Sequence, residues 1–243
     1  MFKRIICISF CFWAFTITGL FGFQTFQVTD QKLSFTIKDQ STPLFGSIDD
    51  YKFQVNYGHN LIKDLTLNLS IKSPSIRLKY GNNKTLGEMW DDKVKSLPGS
   101  MLFGKENQFR NWFLDVNEYP EMTFSSKEIY IDENNGQLKV VGDWEMHGDR
   151  EEVEIQLNLI STNFSDAENK IMLYGTFEPT ELISKIQKVS DYFKVGKQLV
   201  MMTGKFTVNP SEFDHMDNWE LLSNPWEFNF FIEATDQTLL SKD

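Results

Sequence analysis

Cysteine is almost missing from this 243-residue chain: Cys7 and Cys11 are its two, and both lie near the N-terminus. Everything downstream is thiol-free, which excludes cysteine catalysis and a cysteine-built zinc centre there. Histidine is equally scarce. His59, His147 and His215 are scattered, and none has a partner at ligand spacing, so no metal site is expected. There is no Gly-x-Ser-x-Gly elbow and no phosphate-cradling glycine loop, so neither a catalytic residue nor a cofactor is assigned. Basic residues are outnumbered, 24 against 34 acidic, for a formal charge of -10. An acidic chain with scattered lysines does not bind a phosphate backbone, which sets nucleic acid aside. The acidic pairs Asp49-Asp50, Asp91-Asp92 and Glu151-Glu152 are sequence neighbours. On a strand, neighbours point to opposite faces, so these pairs read as solvated surface charge.

The N-terminus differs from the rest. Lys3 and Arg4 precede an apolar run from Ile5 to about Phe15, and small residues such as Thr16, Thr18 and Gly19 follow. That order describes a secretory signal peptide over residues 1–22, leaving a single domain over 23–243 and a periplasmic or secreted destination. A retained membrane anchor through residues 5–23 is the alternative, since a spanning helix needs roughly 20 residues.

Aromatic residues and regular alternation are abundant. Phenylalanine alone occurs 22 times. Leu65-Thr66-Leu67-Asn68-Leu69-Ser70-Ile71-Lys72 and Val153-Glu154-Ile155-Gln156-Leu157-Asn158-Leu159 alternate without a fault, and shorter runs occur at 53–57, 76–80, 206–208 and 226–230. Period-two patterning places one strand face against an apolar interior and the other in water, as in antiparallel sheets. Asn134-Asn135-Gly136, His147-Gly148-Asp149 and Asn209-Pro210-Ser211 supply turn chemistry between strands, and Asn135-Gly136 predicts a hairpin joining 129–131 to 138–140.

Two helices are predicted. One runs from Leu86 to Leu97, ended by Pro98-Gly99. The other runs from Pro179 to about Lys194 in an insertion near 179–195, with Leu182, Ile183, Ile186, Val189 and Phe193 on one face. So many half-buried strands leave two closures, a sandwich or a barrel, and periodicity alone does not choose between them.

Three segments resemble the YceI-like family of exported lipid-binding proteins. Trp112-Phe113-Leu114-Asp115-Val116-Asn117-Glu118-Tyr119-Pro120-Glu121-Met122-Thr123-Phe124-Ser125-Ser126 is similar to the family's hallmark: Phe-Phe-Asp-Val, then Tyr-Pro, then Thr-Phe and a serine. Val141 to Gly148, followed by Val153–Leu159, resembles its Gly-x-Leu-Thr-x-His-Gly strand and turn. Thr203 to Asp214 resembles its closing strand, although Asn209-Pro210 and Asp214 depart from the family's Arg-x-Asp-Phe-Gly turn. Leu33 to Lys38 matches the first strand more loosely.

The resemblance implies an all-β fold, an eight-stranded antiparallel lipocalin-like barrel with one or two short helices. It also implies an apolar interior that holds a lipid such as a polyisoprenoid, a quinone or a fatty-acyl compound. The inserted helix is then expected to cap or narrow the barrel mouth. Phe113, Phe124, Trp144, Phe206, Phe228 and Phe230, with Trp226, are the candidate cavity wall. Arg110 is the head-group candidate, its planar fork suiting phosphate or carboxylate, with an ion pair to Asp115 or Glu118 as the alternative. The expected function is non-enzymatic lipid binding or transport, against a ligand-free surface or scaffold protein using the barrel exterior; a homodimer is left open.

Overall fold

The computed structural model describes residues 24–37, 44–57, 64–80, 113–164, 169–195, 198–213 and 224–236. Its strands are β1 (Gln24–Ile37), β2 (Leu44–Ile48), β3 (Tyr51–Tyr57), β4 (Thr66–Lys72), β5 (Ile76–Tyr80), β6 (Glu121–Ile131), β7 (Leu138–Met146), β8 (Asp149–Phe164), β9 (Asn169–Tyr174), β10 (Leu199–Val208) and β11 (Trp226–Asp236). All pair antiparallel in one sheet. Eight of them, in the circular order β1, β11, β10, β8, β7, β6, β4, β3, close a barrel. The closing ladder is long, running from Phe26 opposite Asp236 to Ile37 opposite Trp226. The barrel, not the sandwich, is therefore the closure this chain adopts.

The alternating runs become wall strands as the period demands. In β7 every second side chain from Leu138 to Met146 is buried, and β4 repeats the pattern. The β7–β8 connection is a two-residue turn in which His147 (φ 56°) and Gly148 (φ 80°) both take left-handed backbone. Such a turn matches the twist of the strands it joins. Asn135-Gly136 also lies in a hairpin connection, but a longer one. Gly136 N–H bonds the Asp132 carbonyl at 2.8 Å, and the Asp132 carboxylate accepts from Asn134 N–H at 3.0 Å.

β2 with β3, and β4 with β5, are each an interrupted strand. Asp49-Asp50 breaks the first, and a single 3-10 turn at Ser73–Ser75 breaks the second. β2 and β5 pair with each other and extend the wall beyond β1.

The helix α1 (Pro179–Lys194) forms as its periodicity predicts but does not sit over the mouth. It lies on the outer wall, where Val189, Leu182 and Tyr192 pack with Ile160, Leu199 and Met201 of β8 and β10. The sheet-facing stripe also differs from the predicted one. Ile183 is 70% exposed, while Lys185 is buried. The Lys185 ammonium lies 5.8 Å from the Phe177 ring centre and 6.0 Å from that of Phe231, its stem covering apolar surface. Lys188 pairs with Glu233, a buried outward carboxylate of β11, and fixes the helix to a third strand. Leu86–Leu97 lies outside the described residues, as does residue 1 through 23.

Candidate functional site

The inward faces of the eight wall strands make one apolar interior, and its two ends differ in chemistry. At the end formed by the starts of β3, β6, β8 and β11 and the ends of β1, β4, β7 and β10, aromatic rings dominate. Phe206 and Phe228 face each other across the β10–β11 ladder and stack at 4.7 Å, nearly parallel at 5°. Phe35 stacks on Phe228 at 5.2 Å and on Trp226 at 4.9 Å. Phe113, from the segment before β6, reaches Trp226 at 5.9 Å.

Other contacts span the barrel between strands that are not neighbours. Trp144 of β7 meets Phe206 at 5.5 Å and Phe228 at 5.2 Å. Phe124 of β6 lies 6.4 Å from Phe206, and Phe53 of β3 lies 5.2 Å from Phe230. Ring contacts thus link strands that are not neighbours at this end. Offset and tilted pairs of this kind add about 0.5–1.5 kcal/mol each beyond burial.

The opposite end is lined mainly by shorter aliphatic groups: Val55, Leu67, Val140, Val200, Ile232 and Ala234, all fully buried. Met172 and Tyr174 of β9 pack against the core cluster to which these belong. Burial pushes the Tyr174 phenol above its ordinary pKa, so it stays neutral.

Glycines in the wall decide how some rings lie. A Cβ on Gly204 would meet the Phe230 ring at 2.2 Å, and one on Gly46 would meet Phe35 at 2.0 Å. Both rings therefore lie flat on the neighbouring strand, a seat that only a hydrogen side chain leaves open.

The wall is not hydrogen-bonded throughout. The β8–β10 ladder runs from Ser161–Val200 to Gln156–Lys205 and stops there. Below it lies a cleft of about 540 Å3 lined by inward-facing Val153, Phe206 and Val208 together with outward-facing Glu152, Glu154 and Thr207. A second cleft, about 830 Å3, opens where β1 leaves β3 after Phe26. Gln31 bridges that seam in place of a ladder. Its side-chain amide donates to Tyr51 C=O at 3.2 Å and accepts from Phe53 N–H at 3.2 Å, while the Tyr51 hydroxyl donates to Gln31 C=O at 3.0 Å.

Two sequence motifs meet outside the interior. Tyr119 of the hallmark stacks on His147 of the β7–β8 turn at 4.6 Å. Gly148 is required beside it, since a Cβ would come within 3.1 Å of the Tyr119 ring on top of the left-handed backbone. His147 thereby serves the packing of a turn. On the outer wall, cross-strand ion pairs such as Lys139–Glu154 (2.9 Å) and Arg150–Glu145 (3.1 Å) hold the charged side chains. Exposed pairs of this kind contribute little to stability.

All six predicted wall residues, Phe113, Phe124, Trp144, Phe206, Phe228 and Phe230, are buried within this interior. The structure adds Phe35 and Phe53, whose place in alternating runs carried the same signal as the others. Arg110 lies outside the described residues. Among the described residues no group of His, Cys, Asp or Glu side chains is placed to hold a metal ion.

Fold and interior define a closed antiparallel barrel with an apolar, ring-rich centre. The YceI-like domain matches residues 25–234, and the chain belongs to that family. Among solved structures it is similar to Burkholderia cenocepacia BcnA (17% identity, TM-score 0.48, covering 84% of this chain and 96% of that one). It is also similar to a Campylobacter jejuni YCEI protein (14% identity, TM-score 0.45, covering 79% and 84%). No curated protein matches it.

Proposed function

We propose that this protein binds or carries an apolar lipid, an isoprenoid or fatty-acyl chain lodged among the inward side chains of the barrel, without catalysing a reaction. The observation that carries this reading is the lining itself: the closed wall turns an almost wholly apolar surface inward at both ends. Each methylene buried there contributes about 0.8 kcal/mol before the entropy cost of binding, so a long chain needs no charged anchor. Family membership supports the same reading, and the N-terminal charge-apolar-small pattern supports export to the periplasm or beyond. Organic extraction of the purified full-length protein, followed by mass spectrometry, tests this. Stoichiometric recovery of a long-chain lipid is expected, and a lipid-free extract from freshly isolated protein overturns it.

A second reading, a ligand-free scaffold that works through its outer surface, is favoured by one observation. Trp144, Phe206 and Phe228 pack on one another inside the barrel. Saturable displacement of a fluorescent lipid analogue by unlabelled lipid would exclude it.

A further inference from the structure

Within the aromatic end, one polar atom has no partner. Trp144 is fully buried, and its indole N–H makes no hydrogen bond among the described residues. Buried donors are almost always satisfied, because an orphan forfeits its bond to water without replacement. Indoles that merely pack place the N–H against an acceptor or leave it in water. Here the neighbouring groups are the rings of Phe206 and Phe228, tilted at 51° and 46° to the indole, and a ring face is a weak acceptor. The seam cleft between β8 and β10 reaches Phe206, the ring that Trp144 touches, so this spot lies one side chain from the outer surface.

We infer that the Trp144 N–H is a recognition point for an uncharged oxygen acceptor (a carbonyl, ester or ether) carried within the apolar part of the ligand. This rests on the lipid-binding reading and narrows the ligand class. An anion is disfavoured at the same point. Among the described residues the only buried lysine or arginine is Lys185, on the outer wall, and the adjoining cleft sets one lysine, Lys205, against five carboxylates, Glu151, Glu152, Glu154, Glu212 and Glu227. A desolvated carboxylate or phosphate would lack a counter-charge.

The test compares two probes on the full-length protein, a long-chain methyl ketone and the alkane of equal carbon count. The native protein is expected to bind the ketone about tenfold more tightly, the step one net hydrogen bond allows. In Trp144→Phe, which keeps a ring, the ketone-over-alkane ratio is expected to shrink to within about twofold, whatever the change in absolute affinity for either probe. Should that variant fail to fold, the Trp144 indole proton resonance of the native protein gives the same answer: it moves further downfield with the ketone, which accepts its hydrogen bond, than with the alkane, which alters only the neighbouring rings. Alkane binding without a ketone preference, or a resonance that moves no further with the ketone than with the alkane, overturns the inference and leaves the lipid-binding reading standing. Failure of both probes to bind overturns both.

Discussion

The strand β11 carries Trp226, Phe228 and Phe230 toward one end and Ile232 and Ala234 toward the other, with Trp226 and Ala234 about 27 Å apart at 3.3–3.4 Å per residue. At the first end the interior is held by a few large groups in specific ring contacts. At the second it is held by many small ones without directional preference. Stability and ligand selectivity should therefore respond differently at the two ends. Ring contacts between non-neighbouring strands tie opposite walls together, so loss of one ring is felt across the barrel. Loss of a methyl group at the aliphatic end is felt only locally.

The largest expected effect comes from removing the residue that makes two of those cross-barrel contacts. Trp144→Ala should lower unfolding free energy by about 3–5 kcal/mol, whereas Val140→Ala, on the same strand, should cost about 1–3 kcal/mol. Urea midpoints measured side by side give the comparison, and equal losses would mean that the rings are ordinary filling. Next in size is Gly204→Ala. The added methyl collides with Phe230, so overpacking of about 1–3 kcal/mol is expected. The double change Gly204→Ala with Phe230→Leu should recover part of that loss in thermal melts. The smallest effect falls on the β1–β3 seam. Gln31→Ala removes two long, part-buried bridging hydrogen bonds whose freed backbone groups water can reach, for about 0.5–1.5 kcal/mol in total. Hydrogen exchange at Phe53 N–H should accelerate selectively, leaving the β10–β11 ladder unchanged.

Much of this arrangement is legible in the chain. Alternation such as Val153 to Leu159 names the inward residues one by one, and the six candidate wall residues all face inward. What failed is instructive. The helix 179–194 was expected at the mouth, yet Leu199-Val200-Met201-Met202 and Leu159-Ile160 break the alternation, and all six residues are buried. A strand apolar on both faces needs cover on its outer side, and that local departure called the helix to the wall. Its buried stripe then included Lys185 in place of Ile183, because ridge positions are chosen by the strands beneath and not by helical hydrophobicity alone.

The amino-acid order by itself determined which side chains turn inward, since a pleated strand allows only two directions and the polarity of successive residues selects between them. It determined equally that the interior would be apolar and rich in rings. Closure was decided by the tertiary structure: β1 meets β11 across nearly the whole chain, and no local pattern encodes a pairing that distant. So were the two open seams, the ring seats on Gly46 and Gly204, and the isolation of the Trp144 N–H. Each depends on which residues of separate strands come to the same height, and strand stagger in a closed barrel sets that.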